Sequence, residues 1–88
     1  MTRITIVEDQ TILLDSLAAA IDAEADFMVV DKLTDAADIH ASQRLHPADL
    51  VLMDVVTENS SGLKESAKFK AAHPRVKAVS YTHLTLPT

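Results

Sequence analysis

The spacing of apolar positions changes several times along the chain, and each change predicts an element. Ile4-Thr5-Ile6-Val7 is a short β-rich run after Arg3, closed by Glu8-Asp9, and predicts a strand over residues 3–7. From Thr11 to Glu24 the period becomes helical. Leu14, Leu17, Ala18, Ile21 and Ala25 fall on one stripe, while Asp15, Asp22 and Glu24 face elsewhere. Asp15 reads as an early acid that suits the helix dipole. Residues 27–33, with Phe-Met-Val-Val at their start, predict a second strand. Thr34-Asp35 offers N-cap chemistry for a helix running to about Leu45, with Ala37, Ala41 and Leu45 spaced four apart and Pro47 as the stop.

Leu50-Val51-Leu52-Met53 is a continuous apolar run ending at Asp54. Continuous apolarity predicts a strand covered on both faces, as in the middle of a parallel sheet. Val55 to Gly62 reads as a polar loop, with Asn59-Ser60-Ser61-Gly62 as its turn. Leu63 to Ala72 reads as a third helix, ended by His73-Pro74, and Val76 to Val79 as a fourth strand. The order βαβαβαβ implies right-handed crossovers, a parallel sheet and helices on both faces.

Composition narrows the class. The chain has 88 residues, at most one domain, and 48% are hydrophobic with one Gly and three Pro, which suits a packed piece. With three aromatic residues, two Phe and one Tyr, the core must come from Val, Ile, Leu, Ala and Met. The absence of Cys excludes disulfides and thiolate metal sites. A net charge of −5 with no basic cluster argues against nucleic-acid binding by this piece. No stretch reaches the length of a membrane span, and the apolar run at the start is too short for a signal peptide, so the expected location is the cytoplasm.

The chemistry sits at strand ends. In an open α/β sheet the working crevice lies beyond the carboxyl ends of the strands. Glu8-Asp9 closes the first strand and Asp54 the third. If those strands are neighbours, three carboxylates are expected to meet in one pocket, where mutual repulsion favours a bound dication. An all-oxygen set suits Mg²⁺, with Mn²⁺ as the alternative, rather than Zn²⁺. A carboxylate beside such an ion can act as a nucleophile toward a phosphoryl group. His40, His46, His73 and His83 show no helical i,i+4 pairing and read as surface residues.

Three stretches carry a family resemblance. Ile4-Thr5-Ile6-Val7-Glu8-Asp9-Gln10 resembles the first strand and acidic pair of response-regulator receiver domains. Pro47-Ala48-Asp49-Leu50-Val51-Leu52-Met53-Asp54-Val55 resembles their third strand and phosphoacceptor, Gly62-Leu63 their Gly-Leu before helix three, and His73-Pro74 is typical before strand four. The resemblance covers residue 3 to about residue 79. It implies a flavodoxin-like (CheY-like) α/β fold, truncated here after the fourth strand. It also implies phosphorylation of Asp54 by a sensor histidine kinase, with Mg²⁺ held by Glu8, Asp9, Asp54 and the backbone carbonyl of Val56. The domain is expected to be a phosphoacceptor rather than an enzyme, and a DNA-binding output domain is expected to follow it in the longer protein. Thr57-Glu58 departs from the Met-Pro often found after the acceptor, which loosens the loop and adds a negative charge near an incoming phosphate.

The end of the chain reads differently. Residues 79–88, Val-Ser-Tyr-Thr-His-Leu-Thr-Leu-Pro-Thr, resemble the in-frame translation of a transposon-end adapter used in sequencing libraries. The expected division is therefore a partial receiver over 1–79 and a non-native tail over 80–88. Thr82 falls near the family's switch Ser/Thr slot, and the Lys that follows strand five has no counterpart. Two alternatives to a phosphorylated receiver come from the same residues. One is a receiver-like interaction module that is never phosphorylated. The other is a haloacid-dehalogenase-type hydrolase, which wants a second Asp where this chain has Val56.

Overall fold

The computed structural model describes residues 1–54 and 61–81. Strand β1 (Thr2–Val7) leads to helix α1 (Thr11–Asp22), strand β2 (Phe27–Leu33), a 3₁₀ turn (Ala36–Asp38) running into helix α2 (Ile39–Leu45), strand β3 (Leu50–Asp54), helix α3 (Ser61–Ala72) and strand β4 (Lys77–Tyr81). All described pairings are parallel, in the order β2-β1-β3-β4. The alternation of strand and helix thus yields the α/β sheet expected from the sequence. β4 runs to Tyr81, two residues into the segment read as a non-native tail.

Each face of the sheet carries its own core. On the α1 side, Ile4, Ile6, Leu14 and Ala18 are buried, with Leu17, Ile21, Val29 and Leu50 packed against them. This is the stripe the helical period predicted, except that Ala25 lies beyond the helix and is exposed. On the other side, Val7, Ala36, Ile39, Val51, Met53, Phe69 and Val76 form a second cluster that also receives Leu33. Phe69 is the largest fully buried side chain, with the His73 ring centroid 4.7 Å away and that of His40 at 6.0 Å.

Two local readings are corrected. Asp15 lies past the first turn of α1, which holds no acid, and its carboxylate instead meets Lys32 Nζ at 3.1 Å. Asp35 caps as expected, accepting from the Ala37 N–H at 2.9 Å, but what it caps is the 3₁₀ turn. That tighter turn rotates the following helix, so Ala36, Ile39 and Ser42 are buried while Ala37, Ala41 and Leu45 face solvent. The larger Ile39 side chain gains more by burial than Ala37 or Ala41 would. Gln43 then pins the chain after α2, accepting from the Ala48 N–H at 3.0 Å and donating to its carbonyl at 3.2 Å.

Strand β2 contains a break in alternation. Ile4 pairs with Val29 and Thr5 with Asp31, leaving Val30 as the extra residue of a bulge. Strict alternation would put Leu33 on the same face as Val29. With the bulge, Val29 packs under α1, Asp31 accepts the Ser42 hydroxyl at 2.6 Å on the opposite face, Lys32 returns to α1, and Leu33 enters the second core.

Candidate functional site

The two central strands, β1 and β3, pair in register from Ile4↔Leu50 to Val7↔Met53. The chain leaves β1 toward β2 on one side, while β3 is followed by β4 on the other. The crevice at their carboxyl ends is therefore the point where strand order reverses, the usual ligand position in such sheets. The next residues after the last register pair are Glu8 on one strand and Asp54 on the other.

Glu8 is 0% exposed. Its backbone N–H donates to the Leu33 carbonyl at 2.9 Å, tying the end of β1 to β2. Its Oε2 accepts the backbone N–H of Gln10 at 3.0 Å. Gln10 is the extended residue before α1, and its carbonyl accepts the Leu14 N–H at 2.9 Å as the helix begins. The buried carboxylate thus sits against the positive end of the α1 dipole, where negative charge is favoured. Asp9, the other half of the acidic pair, is exposed. Neighbouring residues at a strand end point to opposite sides, and here only Glu8 turns inward.

Asp54 is placed by its backbone, which closes β3 beside Tyr81 of β4. Its side chain, Val56 and Thr82 lie outside the described residues. Among the described residues, no three His, Cys, Asp or Glu side chains form a metal-holding group. Glu8 and Asp9 supply oxygen donors only. A buried carboxylate is costly unless charge or hydrogen bonds compensate it. The donor set therefore fits a hard, oxygen-preferring dication. Sequence reading missed the Gln10 amide. It is a backbone donor, and the one clue was its position two residues after an acid at a helix start.

A family model, that of the response regulator receiver domain, matches residues 4–86. A curated relative, named an uncharacterized transcriptional regulatory protein, YxjL of Bacillus subtilis (strain 168), is 29% identical over 80 residues. That alignment covers 91% of this chain and 37% of the relative, so the chain spans little more than a third of that protein's length. A LuxR-family two-component response regulator from Aurantimonas sp. superposes with a TM-score of 0.85 at 20% identity, covering 97% of this chain and 61% of that one. The isolated REC domain of RcsB from Salmonella enterica serovar Typhimurium, solved in the presence of phosphomimetic BeF₃⁻, gives 0.82 at 16% identity, with 98% and 64% covered. At these identities the structural likeness establishes the receiver fold. Among the described residues, no helix is long and apolar enough to cross a membrane.

Proposed function

The chain belongs to the response regulator receiver domain family, and from that membership we propose that Asp54 is its phosphoacceptor, taking a phosphoryl group from a sensor histidine kinase. The family is one of signalling domains. The observation that carries the proposal is the β1–β3 register, which makes Glu8 and Asp54 the next residues at the carboxyl ends of two neighbouring strands.

Glu8 and Asp9, with Asp54 and the Val56 backbone carbonyl, are the residues assigned to Mg²⁺. Bound there, the cation offsets the negative charge of acid and phosphoryl group together. The protein's own part is positional. The Leu33 carbonyl and the Gln10 amide fix Glu8 from two directions, so its carboxylate does not have to be ordered when the site is used. Thr82, which follows the register partner of Asp54, is assigned the switch position. In the longer protein we assign DNA binding to a separate output domain, in keeping with the regulatory name of the curated relative. The receiver, at a net charge of −5, contributes no such contact.

Incubation of the protein with acetyl phosphate and Mg²⁺ tests the reading. The intact mass should rise by one phosphoryl group, and Asp54→Ala should abolish the gain. No gain in the wild type, or a gain that survives Asp54→Ala, overturns it.

A further inference from the structure

No two of the four histidines pair along a single helix, yet the fold brings two of them together from different elements. His40 is the second residue of α2, and His73 directly follows the last residue of α3. Their ring centroids lie 6.3 Å apart, with the planes tilted by 34°. The Phe69 ring, fully buried, lies 6.0 Å from His40 and 4.7 Å from His73, so both imidazoles share one apolar neighbour. Both histidines are half-buried, which leaves water access to them. The backbones that carry them are anchored. Ile39, beside His40, is 1% exposed, and the His73 N–H donates to the Phe69 carbonyl at 2.8 Å, extending the last turn of α3.

Two imidazoles meeting from separate helices make a bidentate nitrogen pair. With a metal–nitrogen bond of about 2.0–2.1 Å, two ring centres on one ion lie about 5 Å apart at a tetrahedral angle and about 6.4 Å apart at a linear one. The observed 6.3 Å falls inside that span. Rotation about the Cβ–Cγ bond presents either nitrogen of each ring, and an orienting hydrogen bond at the other nitrogen is compatible with ligation. We propose that His40 and His73 hold a divalent transition-metal ion of the Zn²⁺, Ni²⁺ and Cu²⁺ class between α2 and α3, with water completing its coordination shell. Imidazole selects such borderline ions, whereas Mg²⁺ prefers oxygen. The site therefore shares neither residues nor metal preference with the crevice beyond β1 and β3. An ion there ties α2 to the end of α3, and its preference for the folded arrangement stabilises the fold.

Two measurements test this, both in excess Mg²⁺ so that the crevice does not compete for the probe ion. In the wild type, Ni²⁺ should broaden the imidazole resonances of His40 and His73 first, leaving His46 sharp, and Zn²⁺ should raise the urea midpoint. His73→Phe keeps a ring against Phe69 and removes both nitrogens, and His40→Ala removes the other ligand. Each should fold by circular dichroism and weaken Zn²⁺ binding by about ten-fold or more, whereas His46→Ala should bind as the wild type does. Broadening centred on His46 or on Glu8 and Asp9 overturns the proposal, as does a Zn²⁺ shift that survives His73→Phe. A wild type whose midpoint does not respond to Zn²⁺ refutes it as well. So does a shift that grows with protein concentration, because the ion is then held between two molecules.

Discussion

Replacing Phe69 with Ala measures how firmly α3 is seated on the sheet. Phe69 is 0% exposed and the largest fully buried side chain, with the ring centroids of His40 and His73 at 6.0 and 4.7 Å. Truncating a buried Phe costs about 3–5 kcal/mol, from lost transfer energy and the cavity left behind. A chain of this length has a total stability of roughly 4–13 kcal/mol, so the loss is about a quarter of it or more. With a urea slope of about 1–1.5 kcal/mol/M, the midpoint should fall by roughly 2–5 M. Phe69→Leu keeps most of the volume and should lose about 1–1.5 kcal/mol. Urea titration followed by circular dichroism is the assay. A midpoint shift below about 0.5 M for Phe69→Ala would mean that α3 is not docked as described. A Leu variant as damaged as the Ala variant would assign the stability to the ring contacts with His40 and His73 rather than to filled volume.

Three other substitutions separate interactions that a contact tally would treat alike. The Thr5 hydroxyl is buried at 1% exposure without a hydrogen-bond partner, so Thr5→Val should raise stability by about 1 kcal/mol, and a loss of stability would reveal a water held there. The Asp15–Lys32 pair is well exposed on both sides, so Lys32→Ala should leave the melting temperature unchanged within error at low and high salt; a clear salt-dependent drop would contradict that. Glu8→Gln keeps an oxygen for the Gln10 amide but removes the charge. It should raise the Mg²⁺ concentration needed for half-maximal phosphorylation by about ten-fold or more, with the fold intact by circular dichroism; an unchanged Mg²⁺ requirement would remove Glu8 from the proposed set.

The strands were legible because burial leaves a direct mark on sequence. β3, covered on both faces, is an unbroken apolar run, and β2 was bounded at both ends by polar and turn-forming residues. The α1 stripe was equally clear, since four large or small apolar residues recur at helical spacing. The buried face of α2 was not. A 3₁₀ turn changes the angle per residue, and three alanine or leucine positions four apart fit two different faces equally well. The Val30 bulge left no mark, because Val-Val reads the same in or out of register. Within the acidic pair Glu8 is buried and Asp9 exposed, a difference that alternation alone could have suggested. The partners of Glu8 are backbone groups, which no side-chain pattern advertises.

The bulge connects the crevice to the outer edge of the sheet. Alternation governs hydrogen-bond direction as well as side-chain face, so one extra residue at Val30 resets both for everything after it. Because of that reset, the Leu33 carbonyl faces β1 and receives the Glu8 N–H, which fixes the buried acid at the crevice. The same reset turns the Lys32 N–H outward, where the Asp31 carboxylate accepts it, and sends the Lys32 side chain back toward α1. The seat of Glu8 and the outer edge of β2 are therefore set by a single insertion in one strand. A change that altered the bulge would be felt at the crevice and at the outer edge together, even though no side chain spans the distance between them.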